Sequence, residues 1–250
     1  MNPFKIFNKE RVYAGKSAEE GRKYGGLIAY FNLEEWWDSL SIEDRTLIRN
    51  WYSGGLGTGS QGDRGSMVDD ISSIASSSQS ASGFLNSLSG WAINEHKYEI
   101  AVSILKESLK NQSNYIDLHF TYNYLIDLGY KRREESPEWL ENCIQYCKSD
   151  IDMFMQFKNA YISERKNDFI KSAKFDEEIG DLAEAKEWLK KAKDFKFDLG
   201  MPSFQRLTII YEKKGEYEKA IEICKLALDY ELLDSTKGGF EGRVSKLKRS

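Results

Sequence analysis

The sequence predicts an all-α protein whose C-terminal two thirds consist of helical hairpins. Residues 84–250 repeat apolar side chains with the helical period, and the two prolines among them are Pro137 and Pro202. A segment that begins at Phe169 recurs at a constant offset of 35 residues, beginning at Phe204. An offset of this length is typical of stacked helix–turn–helix units. We therefore expect an α–α superhelix with a helical N-terminal extension and a Gly/Ser-rich linker.

The first predicted segment, residues 1–52, is charged and aromatic and carries two short helices between Phe31 and Tyr52. Asn32 is predicted to cap the first helix, and Ser41, with Asp44 three residues later, opens the second as in a capping box. The apolar surface of these helices is too large to remain in water, and the C-terminal segment is its most favourable partner. The side chains concerned are Trp36, Trp37, Leu40, Ile42, Leu47, Ile48 and Trp51.

The second segment, residues 53–83, is rich in glycine and serine and is predicted to be a flexible linker or a long loop. It contains the sequence GTGSQG at positions 57–62, which matches the glycine pattern of dinucleotide-binding loops. That pattern requires a preceding strand and a following helix within a βαβ unit, and no such strand is predicted here. The spacing of Met67, Ile71, Ile74 and Ala75 is compatible with a short helix.

The third segment, residues 84–250, is predicted to contain eight or nine helices. Two of them lie at 84–94 and 97–110, and a third ends at Gly129. Ser136 and Pro137 form a favourable helix start, and a further helix follows near residue 152. After the turn at Gly238 and Gly239, a short basic helix would form a polar end cap of the stack, although contact with phosphate or an acidic partner is an alternative.

The 35-residue repeat places small side chains where antiparallel helices cross. Ala185 corresponds to Ala220, and Ala192 to Ala227, two turns further along the same face. Gly180 corresponds to Gly215, and each would end the first helix of its hairpin in a conformation that disfavours a Cβ atom. One hairpin alone cannot bury its apolar face, so we expect neighbouring hairpins to stack.

These positions resemble tetratricopeptide repeats of the bacterial type, most clearly over residues 166–232. The last repeat matches the family pattern at Thr208, Tyr211, Gly215, Tyr217, Ala220, Cys224 and Ala227. The preceding repeat matches it at Ala173, Gly180, Leu182, Ala185, Leu189 and Ala192, but Asp176 occupies an aromatic position. The terminal proline of the pattern is replaced by Leu232, and the offset is one residue longer than usual.

The resemblance implies a peptide-binding concave face formed by the first helix of each hairpin. The binding residues it implies are Lys174, Glu177, Glu178, Gln205, Ile209, Glu212 and Lys213, with Asn167 and Ile170 on the same face. Their charges are of both signs, so a ligand with apolar and charged contacts is predicted. The equally favoured alternative is that residues 1–52 cover this face.

The composition gives little support to catalysis or to metal binding. The histidines are His96 and His119, and the cysteines are Cys143, Cys147 and Cys224, for which buried reduced thiols are the favoured interpretation. We therefore predict no enzyme activity, no cofactor and no metal. A pI near 5.5 argues against nucleic-acid binding. With no apolar run long enough for a membrane span and no apolar signal region, we predict a cytoplasmic protein without a membrane partner.

The preferred functional hypothesis is a non-catalytic adaptor or regulatory scaffold that binds a protein or peptide. One alternative is a regulator or inhibitor that senses a ligand or peptide and changes shape, with the Gly/Ser tract as its hinge. A remote alternative is an enzyme with its site in the first 83 residues. The sequence makes no prediction of the oligomeric state or of the partner's identity.

Overall fold

The structure of the chain, a computed structural model, describes residues 22–54, 65–234, 236 and 238–249. All regular secondary structure in these residues is helical, in 13 helices. This confirms the predicted all-α class for the described part of the chain. The chain divides into two compact units, Met1–Thr121 and Tyr122–Ser250, with the boundary inside one helix.

The first unit contains six helices, and a seventh crosses the boundary. They are α1 (Gly26–Phe31), α2 (Glu34–Ser39), α3 (Ile42–Gly54), α4 (Ser66–Asp69), α5 (Ala81–Asn94), α6 (Tyr98–Lys110) and α7 (Tyr115–Lys131). Helix α1 packs on α2 and α4, α3 packs on α4 and α5, and α5 packs on α6. The predicted apolar surface is buried at Trp36, Trp37, Leu40, Ile48 and Trp51, whereas Ile42 is exposed.

The predicted caps of the first unit are partly confirmed. Ser41 Oγ accepts a hydrogen bond from the Asp44 amide at 3.0 Å, as in the predicted capping box. The prediction for Asn32 is wrong, because Asn32 ends α1 in the left-handed conformation with φ of 56°. Leu33 stands at the N-cap of α2 and gives it no side-chain hydrogen bond. The short polar side chain of Asn tolerates the left-handed backbone conformation, so Asn can also act as the residue that ends a helix at its C terminus.

The described part of the Gly/Ser tract is held against α1. The Gly25 amide donates to Asp69 O at 3.1 Å, and the Gly26 amide donates to Ser73 O at 2.9 Å. A Cβ atom at Gly25 would lie 2.2 Å from Asp70 O, so this approach requires glycine. The helix predicted near Met67 stops at Asp69, and Ile71 and Ile74 are exposed. The GTGSQG sequence at 57–62 lies outside the described residues.

The second unit continues with six further helices. They are α8 (Pro137–Asp152), α9 (Phe154–Glu178), α10 (Leu182–Asp194), α11 (Pro202–Lys213), α12 (Tyr217–Asp229) and α13 (Gly239–Leu247). The described helices from α5 to α13 number nine, which agrees with the prediction. The helix end predicted at Gly129 is wrong, because α7 continues to Lys131. Gly129 instead permits close packing, since a Cβ atom there would lie 3.1 Å from both Cys143 Cβ and Trp139 O.

Both repeat turns have the same backbone geometry. Gly180 and Gly215 have φ of +85° and +73°. The Asp181 amide donates to Asp176 O at 2.8 Å, and the Glu216 amide donates to Tyr211 O at 2.9 Å. These are the six-to-one hydrogen bonds of Schellman motifs, which satisfy the last carbonyl groups of α9 and α11.

The small residues of the repeat lie inside the two hairpins, as the sequence predicts. Helix α10 packs on α9, and α12 packs on α11. Because none of these small side chains holds the helices apart, each pair packs closely along its length. The buried positions are Ala173, Ala185 and Ala192 in one hairpin and Thr208, Ala220 and Ala227 in the other.

The stacking of the hairpins differs from the expected arrangement. Helix α11 packs mainly on α8 and α12, while α10 packs mainly on α9. Helix α9 runs for 25 residues without an internal Gly or Pro, so two predicted helices merge into one. The extended segment after α10 then returns along the N-terminal half of α9, where Phe197 packs on Phe157 and Tyr161. This return path places α11 beside α8 and leaves α10 with one main neighbour.

Candidate protein-binding flank of the α9–α10 hairpin

The α9–α10 hairpin buries its small residues between the two helices and exposes a flank on each side of that seam. In the seam, Phe169 stacks on Trp188 with ring centroids 5.8 Å apart. Successive residues of a helix are rotated by about 100°, so Ile170 and Ser172 lie on opposite sides of a helix that turns Ala173 inward. On α10, Leu189 and Trp188 are separated in the same way around the line of Ala185 and Ala192.

One of these flanks combines exposed apolar side chains with charges. We call it the open flank and define it by Ile170, Lys174, Glu177, Leu182 and Leu189. The α9 members are spaced four and three residues apart, and the α10 members seven residues apart, so each set shares one helix face. Ile170, Leu182 and Leu189 are 37%, 60% and 44% exposed, which is high for large aliphatic side chains.

The repeat identifies what covers the equivalent flank of the next hairpin. With the offset of 35, Ile170, Glu177 and Leu189 correspond to Gln205, Glu212 and Cys224. Helix α13 packs on α12, and Cys224 is completely buried. The α13 side chain of Arg243 lies 3.5 Å from the Glu212 carboxylate and 2.6 Å from the Asp234 carboxylate, and Asp234 accepts from Gln205 at 2.5 Å. Part of the flank that is covered on α11–α12 is therefore exposed on α9–α10, although Tyr217, which corresponds to Leu182, is itself 39% exposed.

The seven peptide-binding residues implied by the resemblance fall into two groups. Lys174, Glu177 and Glu178 are exposed on α9, and the first two belong to the open flank. On α11, Gln205 and Glu212 bind Asp234 and Arg243, and Ile209 is half-buried. The structure thus brings the α9 group onto a free surface and engages three of the four α11 residues, Gln205, Glu212 and Lys213, within the chain.

Lys213 belongs to a cationic cluster around one tyrosine. Lys213 Nζ donates to Tyr130 Oη at 3.1 Å, and the guanidinium groups of Arg206 and Arg133 lie 3.8 and 4.2 Å from the Tyr130 ring centroid. Burial acts to raise the pKa of Tyr130, but Lys213 and the two guanidinium groups outweigh it and lower this pKa. This cluster joins α11 to α7 within the second unit, and no sequence signal linked Tyr130 to the repeat.

The charges of the open flank differ along the hairpin. Glu177 of the open flank and its neighbour Glu178 lie close to the turn at Gly180, whereas Lys174 lies further away. Lys186 and Lys193 border the flank on α10, also further from the turn than Glu177. All of these side chains are exposed, and no described ion pair joins them. The flank therefore presents an acidic end and a longer basic stretch around its apolar side chains.

The first unit contains a separate polar cavity of about 600 Å³, lined by residues that include Thr46, Arg49, Asn50 and Asp69. Asp69 accepts from Trp37 Nε1 at 2.9 Å and from Arg49 Nε and Nη2 at 2.8 and 2.6 Å. The hydrogen bonds to Asp69 raise the pKa of Arg49. Because the carboxylate is fully engaged by these two side chains, we assign this network to the packing of α2, α3 and α4.

The cysteine side chains are internal. Cys143, Cys147 and Cys224 are free thiols and buried, and Cys143 Sγ donates to Ile126 O at 3.4 Å. The hydrogen bond with Cys143, together with burial, raises the pKa of Cys147. In the described part of the chain, no group of three or more His, Cys, Asp or Glu side chains is arranged to hold a metal ion.

Among the helices of the described residues, none combines the length and the apolar character that crossing a bilayer requires. No protein-family model, curated protein or solved structure matches the chain.

Proposed function

We propose that this chain is a non-catalytic protein-interaction module that binds a helical segment of a protein partner on the open flank of the α9–α10 hairpin. The observation that supports the proposal most directly is the contrast between two equivalent flanks. On α11–α12 the positions equivalent to Ile170 and Leu189 are Gln205, which bonds to Asp234, and the buried Cys224, whereas Ile170 and Leu189 are exposed on α9–α10. Apolar surface of this kind on one helical hairpin is typical of helix-in-groove recognition.

The charges of the flank define the partner segment more closely. Arg243 of α13 approaches Glu212, so a basic side chain of the partner would approach the equivalent Glu177. Carboxylates of the partner would lie near Lys186 and Lys193, beside apolar side chains that contact Leu182 and Leu189. Burying the remaining exposed surface of each leucine would contribute about 1 kcal/mol. The partner segment is therefore an amphipathic helix with charges of both signs.

We also infer that α9–α10 and α11–α12 are tetratricopeptide-like hairpins. The two Schellman turns and the buried alanines at matched positions support this assignment. The contact between α11 and α8 departs from a regular superhelix. In this arrangement α10 has α9 as its one main neighbour, so a flank of the α9–α10 hairpin stays uncovered.

The proposal is tested by affinity capture from a native lysate with the immobilised full-length chain, followed by mass spectrometry. Leu182→Asp combined with Leu189→Asp should release the captured partner, and Lys174→Glu should weaken its retention. The matched control is Ala183→Asp combined with Lys190→Asp, because these residues are exposed on the outer face of the same helix. A partner that both double variants retain equally well would rule out the open flank as its binding site.

A further inference from the structure

The second flank of the α9–α10 hairpin contains an open cavity beside exposed aromatic surface. The cavity has a volume of about 540 Å³ and is lined by Lys171, Ser172, Phe175, Asp176, Glu184 and Trp188. We call this surface the aromatic flank. Phe175 is 61% exposed, and Ile179, one turn further along α9, is 64% exposed. A phenylalanine in water beside an unfilled cavity is the kind of surface that a partner covers.

The charges of the aromatic flank are arranged at two levels along the hairpin. Asp176 and Glu184 are each four residues from Gly180, on α9 and α10 respectively. Lys171 and Lys191 are nine and eleven residues from it. At 1.5 Å per residue, the carboxylates lie about 6 Å from the turn and the ammonium groups about 13–17 Å from it.

These side chains have few partners within the chain. No ion pair of Asp176 or Glu184 is present in the described residues, and Lys171 approaches Asp168 only at 4.0 Å. Lys191 Nζ lies over the Trp188 ring at 3.9 Å, which shows that a cation is already accommodated at this aromatic surface. The flank therefore has carboxylates at one level and cations at another, and both are available to an incoming surface.

We infer that the aromatic flank is a self-association surface on which a second copy of this chain docks in antiparallel orientation. A two-fold axis between the copies reverses the hairpin direction, which brings the carboxylate level of one copy opposite the cation level of the other. Such an axis lays α9 on α9 and α10 on α10, so Asp176 of each copy faces Lys171 of the other, and Glu184 faces Lys191. Phe175 of each copy approaches the α9 side of the other copy's cavity, beside Lys171 and Ser172. Each contact occurs twice, so the flank is complementary to itself.

The size of the surface sets the strength of the dimer. Two helices of 13 residues are about 20 Å long and together about 20 Å wide, which gives roughly half of the 800 Å² per partner of a standard interface. We therefore expect a reversible dimer with a dissociation constant in the micromolar range, weakened by salt because its ion pairs are exposed. This surface is opposite the open flank, so self-association is independent of the proposed partner binding.

Sedimentation velocity of the full-length chain over a micromolar concentration series tests the inference. The wild type should shift from monomer to dimer, and Phe175→Asp should weaken the dimer by at least about tenfold. Glu184→Lys and Lys191→Glu should each weaken it, and the two together should restore it, because the charges of this pair are then exchanged. Both residues are exposed, so these variants should keep the helix content of the wild type by circular dichroism.

Leu189→Asp on the open flank is the control and should leave the dimer unchanged. A chain that stays monomeric throughout the series would overturn the inference. A dimer that tolerates Phe175→Asp would overturn it too, as would failure of the double charge exchange to restore association. None of these results affects the capture experiment on the open flank, so the two proposals fail separately.

Discussion

Arg243 Nε donates a hydrogen bond of 2.6 Å to Asp234 Oδ2, and this bond attaches α13 to the end of the α11–α12 hairpin. The Asp234 side chain has no exposed surface, and its other carboxylate oxygen accepts from Gln205. We predict that Arg243→Ala lowers the free energy of unfolding by about 1.5–3 kcal/mol, because a buried carboxylate loses its charged partner. Urea denaturation measures the effect. Lys248→Ala, an exposed change just beyond the same helix, should cost much less, and an equal cost would contradict the assignment.

The same carboxylate predicts a dependence on pH. Burial acts to raise the pKa of Asp234, but the Thr236 amide, Arg243 and Gln205 outweigh it, and the pKa lies below its ordinary value of 3.8. A carboxyl group of this kind stabilises the folded chain above its unfolded pKa, and the contribution is lost as the pH falls through the folded pKa. Asp234→Asn should therefore remove part of the loss of stability below about pH 4. Unchanged acid sensitivity in denaturation at pH 3 and pH 6 would contradict this.

Gly180 provides a prediction for the repeat turns. Its φ of +85° is costly for a residue with a Cβ atom, while no neighbouring atom lies within 4 Å of the Cβ position. Gly180→Ala should therefore cost about 1–2 kcal/mol from backbone strain alone, and Gly215→Ala a similar amount. Gly200 also has free space but no left-handed φ, so Gly200→Ala should cause no loss of stability. Thermal and urea denaturation of the three variants distinguish strain from a general effect of replacing glycine.

Asp69 provides a prediction for the first unit. Asp69→Asn leaves the Arg49 guanidinium without its carboxylate and weakens the bond from Trp37, so we expect a loss of about 2–3 kcal/mol in the free energy of unfolding. Asp70→Asn is the matched control, because Asp70 is exposed and its carboxylate accepts hydrogen bonds only from Ser72 among the described residues. Equal losses for the two variants would show that the buried network does not stabilise the unit.

Local signals in the sequence were sufficient to predict the helices and several of the residues at which they begin or end. Ser41, Pro137, Gly180 and Gly215 serve the helix termini for which they were predicted, because caps depend on residues within one turn. Gly129 was misassigned, since a glycine needed for close packing against Cys143 has the same sequence signature as a helix end. The length of α9, 25 residues, depends on the absence of an internal Gly or Pro, whereas Gly180 determines where it ends.

Contacts between distant residues were beyond the reach of the sequence patterns. Asp69 lies in a Gly/Ser tract, and its partners Arg49 and Trp37 are 20 and 32 residues away, so nothing in the tract indicated a buried charge. The repeat register placed Ile170, Lys174 and Glu177 on one face, but it did not indicate that α13 would take the corresponding face of α11. Which helices pack on α11 depends on the path of residues 195–201. The helical periodicity of the sequence does not predict that path.

The single main neighbour of α10 has a consequence for how the second unit opens. The N-terminal half of α9 is held by aromatic side chains on several sides, including Phe197, Phe204 and Tyr230 around Phe154. The buried surface of α10 belongs mostly to one interface, so detaching this helix requires less free energy than unfolding the whole unit. Amide hydrogens of α10 should therefore exchange with solvent earlier than those around Phe154. The α9–α10 hairpin is therefore a separate cooperative segment. Helix α10 can detach from α9 while the N-terminal half of α9 remains folded.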